Sequence, residues 1–187
     1  MNKIKINGHG HILPEPGQIP QFMKNKKLFW IDEDKQFMRQ GDWARPITDK
    51  SFFLDDKLRW MAKHDIAHSV MLNLSQLYCN GYSKEDTNDV IRFQNDFNAG
   101  VQNNHSDKFT CGFVVQPAFM ENALKEIERC VEVLGMNLLC LPTHYLNTKN
   151  EWVSVADESV FPIYELADKY KLAIEIHPYE ANNMVKL

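Results

Sequence analysis

His9 and His11 stand two residues apart at the end of a short apolar run, Lys3-Ile4-Lys5-Ile6-Asn7-Gly8-His9-Gly10-His11. In an extended strand such neighbours project to the same side, so both imidazoles can reach one point a few ångströms away. Two converging nitrogen donors form half of a first-row metal site, and Gly8 and Gly10 leave room around it. The same spacing equally fits a pair of surface histidines near an N-terminus. A second run, Leu172-Ala173-Ile174-Glu175-Ile176-His177-Pro178, also ends in a histidine, and Pro178 biases His177 towards an extended backbone. Two strands that finish in metal-capable side chains, with helix and strand patterns alternating between them, suggest one rim of a parallel barrel.

The residues between these ends predict the elements that would position them. Leu58, Met61 and Ala62 fall at helical spacing over 55–64, with Asp55 and Asp56 in the first turn. A strand over 69–74 follows. Ser83 opens a long amphipathic helix over 84–104 whose apolar residues are Val90, Ile91, Phe93, Phe97 and Val101. A third strand, 109–115, is closed by Gln116-Pro117, and a helix over 122–134 stops at Gly135. Pro142 ends a fourth strand over 137–141, and a helix over 161–170 leads into the fifth at 172–177. Connections of this length permit right-handed crossovers and therefore a parallel sheet. Two segments break the rhythm. Residues 12–54 read as an insertion rich in Pro, Lys and aromatics, with a small hairpin expected around Phe29–Met38, and residues 142–158 read as a polar loop. Both fall where strands end, the side on which binding loops gather.

With 187 residues and 44% hydrophobic composition the chain can bury one core, so a single domain over 1–187 is expected. A formal charge of −4 gives no reason to expect nucleic acid or an anionic membrane as partner. Met1 leads straight into a strand with no signal-like apolar stretch, and no run approaches the ~20 apolar residues of a membrane span. A soluble cytoplasmic protein is the expectation. Cys79, Cys111, Cys130 and Cys140 are widely spaced with no CxxC pair, which predicts reduced thiols. No histidine is placed by sequence to activate Cys79 as a nucleophile.

Five motifs occur in order: His9-Gly10-His11-Ile12-Leu13-Pro14, Ala44-Arg45-Pro46, Lys125-Glu126-Ile127-Glu128-Arg129-Cys130-Val131, Phe161-Pro162-Ile163-Tyr164 and Ile176-His177-Pro178-Tyr179. Together they resemble the decarboxylase branch of the amidohydrolase superfamily, most nearly its 2-amino-3-carboxymuconate 6-semialdehyde decarboxylases. The resemblance covers nearly the whole chain. It implies an α/β fold of the (β/α)8 TIM-barrel type, of which this chain would carry about the first five strands and four crossover helices, C-terminally incomplete. It also implies a Zn2+ ion, or another divalent transition metal, and loss of CO2 from an unsaturated carboxylate without an organic cofactor. By position His9, His11 and His177 would be the metal ligands, and zinc so held lowers the pKa of bound water towards ~7.

Arg45 would bind a substrate carboxylate, because a planar guanidinium donates two parallel hydrogen bonds that Lys cannot copy. Its place in the insertion suggests a loop closing over the substrate. Tyr179 stands where the family has a tryptophan, and His144 lies just beyond the fourth strand on the same rim; both join Arg45 as expected substrate-binding residues. A loop histidine without duty is the other reading of His144, and simple packing is the other reading of Tyr78, Tyr82 and Tyr179. His64, His68 and His105 read as structural. The family's aspartate ligand and proton-transfer histidine would lie beyond Leu187, so no proton-transfer residue is expected within this chain. The expected partners are a small-molecule carboxylate and a second copy in a homodimer. Two rivals remain at this stage: a lactonase-like hydrolase on the same scaffold, and an inactive fragment.

Overall fold

Strand alternation and helix signals become elements much where the sequence places them. A computed structural model describes residues 4–179; residues 1–3, with Lys3 of the expected first strand, and residues 180–187 lie outside them. The chain divides into two compact units, one holding residues up to Met71 plus Asp107–Phe109, the other Leu72–Ser106 and the residues from Thr110 onward.

The first unit begins with β1 (Lys5–His11), which therefore carries both histidines inside the strand. Gly10 is required here by packing: a Cβ at this position would sit 2.7 Å from Met71 Cε. The glycine thus admits Met71 against the strand rather than opening space for a metal. Helix α1 (Gln21–Asn25) is followed by β2 (Trp30–Ile31), β3 (Phe37–Gln40) and β4 (Trp43–Pro46). The expected hairpin is real but incomplete, because β4 adds a third antiparallel strand, with Arg45 opposite Met38. Arg39 locks this meander by donating to both carboxylate oxygens of Asp32 at 2.8–2.9 Å. Met23, Phe29, Ile31, Met38 and Phe53 are buried in this unit. Helix α2 (Leu54–Lys63) leads into β5 (Ile66–Leu72), which starts earlier than its apolar run suggests and so takes His68 into the strand.

In the second unit, α3 (Lys84–Asn104) starts at Ser83, whose hydroxyl accepts from Asp86 N at 3.1 Å. The third predicted strand is split into β6 (Phe109–Cys111) and β7 (Phe113–Val114). Gly112 marks the break, where a Cβ would lie 2.3 Å from Cys140 Sγ. Within the first unit β1 and β5 are neighbours in one sheet, which Phe109 at the start of β6 extends. Helix α4 (Met120–Glu132) is followed by Gly135 in the left-handed region at φ 70°. Then come β8 (Leu138–Pro142), β9 (His144–Leu146), β10 (Trp152–Ser154), α5 (Phe161–Lys169) and β11 (Ala173–His177). Strand β8 is the middle of a parallel sheet, with Leu139 level with Phe113 on β7 and Ile174 on β11.

Two expectations are corrected in this unit. The stretch 142–158 is not a plain loop: β9 and β10 pair antiparallel, with His144 opposite Ser154. Nor does α3 bury its phenylalanines. Phe93 and Phe97 are only half-buried, while Gln94, Asn95 and Asn98 are inside. Asn95 bonds both main-chain groups of Val114, and Asn98 donates to Gly112 O at 2.7 Å. These amides complete the hydrogen bonding of a strand flank, which an apolar side chain cannot do. The architecture is mixed α/β with parallel strand pairing. Among the described residues no helix is long and apolar enough to cross a membrane.

Candidate metal centre and aromatic rim

The first two candidate ligands share β1, and its alternation puts them on one face. Their ring centroids are 5.1 Å apart and the planes nearly perpendicular at 88°. His11 is the last residue of the strand and half-buried; His9 is exposed. His177 closes β11 in the same manner, held there because Thr143 N donates to its carbonyl at 3.0 Å. Its Nδ1 lies 2.8 Å from Pro178 O. A carbonyl only accepts, so Nδ1 carries the hydrogen and Nε2 is left with a lone pair to offer.

His9 and His11 share one face of β1 in the first unit, and His177 ends β11 in the second; these are the three imidazoles that the sequence offers as ligands. The donor set, three imidazoles and no thiolate, suits a borderline transition metal rather than calcium or magnesium.

A chain of aromatic rings surrounds His177 within its own unit. Tyr78 lies 6.4 Å from both His177 and Tyr179, Tyr179 is 5.9 Å from His144, and His144 is 4.9 Å from Trp152. Tyr78 is fully buried and its hydroxyl has no hydrogen-bond partner among the described residues. Burial drives its phenol pKa far above the ordinary value, with nearby Cys140 and Glu175 adding to the rise. Asn80 pins the rim: its Oδ1 accepts from Leu146 N at 2.9 Å and from Gln116 Nε2 at 3.1 Å.

His144 is thus on a strand and only 1% exposed, not on a mobile loop. Arg45 also departs from its expected setting, standing on β4, every residue of which is exposed. Its guanidinium makes no hydrogen bond or ion pair among the described residues. Tyr82 lines a cleft with Cys79, Gly81, Leu146 and Asn147. Trp152 and Thr143 were not legible as site residues; the only hint is the alternation of Trp152-Val153-Ser154 after Asn150, which takes a left-handed turn at φ 62°. All four cysteines are free and buried. Burial pushes the Cys111 and Cys140 thiols up to about 12, and it raises Cys79 and Cys130 further, so none is poised as a nucleophile.

Known proteins bear out the resemblance. No family model matches the chain. It is 25% identical over 185 residues to the 2-amino-3-carboxymuconate-6-semialdehyde decarboxylase of Dictyostelium discoideum, covering 95% of this chain and 49% of that protein. The 5-carboxyvanillate decarboxylase of Sphingomonas paucimobilis superposes with a TM-score of 0.70 at 16% identity, over 97% of this chain and 55% of that one. A dihydroxybenzoic acid decarboxylase from Polaromonas, solved with manganese and 2-nitroresorcinol, superposes with a TM-score of 0.66 at 18% identity, over 97% and 52%. The fold is therefore that of the amidohydrolase-type decarboxylases. The chain spans about half the length of the relatives it matches.

Proposed function

We propose that this chain supplies the metal-binding part of a divalent-metal-dependent, non-oxidative decarboxylase built on a (β/α)8 barrel, acting on a planar unsaturated or aromatic carboxylate. The observation that carries the reading is the pair of imidazoles on one face of β1, ring centroids 5.1 Å apart, together with a third imidazole, His177, at the end of β11. We assign zinc as the ion because imidazole donors suit it better than manganese, which favours oxygen ligands. When bound, such an ion supplies a Lewis acid at the substrate's polar end.

Loss of CO2 breaks a carbon–carbon bond and leaves its electron pair on the remaining carbon, which must then take a proton. His9, His11 and His177 hold the ion, and the Pro178 carbonyl fixes the tautomer that lets His177 do so. Arg45, on exposed β4 and unpaired among the described residues, is offered as the group that grips a carboxylate through two parallel hydrogen bonds. Tyr179 and His144 belong to the ring cluster against which a flat substrate would lie. We further propose that two copies pair as a homodimer.

Elemental analysis tests the metal directly. Purified protein is expected to hold close to one transition-metal ion per chain, and His177→Ala to weaken that binding at least about a hundredfold, the loss of one of three donors. A chain that takes up no metal overturns the site. Separately, CO2 release from 2-amino-3-carboxymuconate 6-semialdehyde or a hydroxybenzoate checks the reaction; lactone hydrolysis without CO2 release would replace it with the hydrolase reading.

A further inference from the structure

His144 has one ring nitrogen bound and the other buried with nothing to bond. Its Nδ1 lies 3.1 Å from Thr143 Oγ1, while Nε2 is enclosed and has no hydrogen-bond partner among the described residues. Thr143 is itself committed. Its hydroxyl oxygen accepts from Tyr179 N at 3.3 Å, and its own N–H donates to His177 O at 3.0 Å. With that oxygen already accepting, the hydroxyl hydrogen needs an acceptor, and His144 Nδ1 is the one in reach. A neutral imidazole that accepts at Nδ1 must carry its hydrogen on Nε2. Thr143 donating to Nδ1 would therefore leave Nε2–H as a donor with no acceptor among the described residues.

A buried donor without an acceptor is costly, and the groups that cover this one are rings. Trp152 stands 4.9 Å away at 75° and Tyr179 5.9 Å away at 70°, so the imidazole meets both edge to face. An N–H directed at a ring face is a weak substitute for an oxygen. Trp152, on short strand β10, is 36% exposed and so opens this ring cluster to solvent. Tyr179 and the buried Tyr78 continue the chain of rings to His177.

We infer that His144 is a specificity-determining residue: its tautomer is locked by Thr143, and its Nε2–H bonds an acceptor oxygen of a planar carboxylate slotted against Trp152 and Tyr179. The inference rests on the proposed reading for the kind of ligand, but not for the metal. It therefore can be tested on metal-stripped protein, where failure of the metal site has no bearing on the result.

Nitrogen-15 spectra of histidine-labelled full chain at about pH 8, above the ordinary imidazole range, read the tautomer of His144. A protonated Nε2 and a bare Nδ1 are expected, and Thr143→Val should mix the two tautomers. Benzoate is the probe ligand and cyclohexanecarboxylate its non-planar control. Benzoate should bind preferentially and move the His144 Nε2–H resonance. His144→Phe, which keeps a ring but removes the donor, should weaken benzoate roughly tenfold, and His144→Gln should recover part of it. A hydrogen on Nδ1 in the parent protein, no binding of benzoate, or equal binding by His144→Phe would each overturn the inference. Loss of metal uptake in His177→Ala with an unchanged His144 tautomer would separate this proposal from the metal site.

Discussion

Strand β8 has two parallel neighbours, and burial treats them in opposite ways. On one side β7 is sealed: Phe113 and Val114 are fully buried, and side-chain amides from α3 occupy the main-chain groups of its flank. On the other side β11 keeps Ile174 and Ile176 at 39% and 49% exposure, and it ends in His177. Every residue of β8 itself is buried. The firmly packed side carries no chemistry, whereas the loosely covered strand presents the candidate ligand. Rigidity at the site then comes from β8 and Thr143 holding the end of β11, not from β11 burying its own side chains.

The sealed side should be the more sensitive to substitution. Asn95→Ala strips Val114 N and O of partners and releases Glu126, which Asn95 Nδ2 reaches at 2.8 Å. A loss of about 3 kcal/mol is expected in urea denaturation, since buried main-chain groups are left unmatched. A change under about 1 kcal/mol would mean that the amide contacts are replaceable by water.

Glu126 gives a smaller effect with a pH signature. Burial pushes its carboxyl up, but hydrogen bonds from Arg129 and Asn95 and the nearby guanidinium charge outweigh that and hold it below its usual 4.5. The unfolded chain then binds this proton more readily, so the group's stabilisation is present above about pH 4.5 and fades as pH falls through the lower folded-state value. Glu126→Gln should cost about 1 kcal/mol at neutral pH and nothing in strong acid, flattening the acid limb of the stability curve. An unchanged acid limb would break the assignment.

The exposed side should scarcely respond. Ile176→Thr keeps the β-branched shape on a half-exposed strand, so stability should move by less than about 0.5 kcal/mol and metal uptake not at all. A substantially larger loss would show that the outer face of β11 is covered in solution, and the contrast between the two neighbours would disappear.

Periodicity and punctuation were enough for α2–α5 and for strands β1, β5, β8 and β11: alternation around His9 and His11, the cap at Ser83, the stop at Gly135 and the strand breaker at Pro142 all act through the local backbone. The histidine pair on β1 was legible for the same reason, because a period of two is a property of any strand. What misled the reading of α3 was polarity, since Asn95 and Asn98 look like a solvated face until a strand flank needs their amides. Arg45 on β4 and His144 on β9 were placed in loops because strands of three or four residues leave almost no pattern.

Local sequence thus determined which residues could donate to a metal and on which strand ends they stand. The ring cluster around His144 and the bond from Tyr179 N to the Thr143 hydroxyl were decided by the packing of the chain. Both depend on hydrogen bonds and close contacts between residues far apart in sequence, and no window of neighbouring residues contains that information.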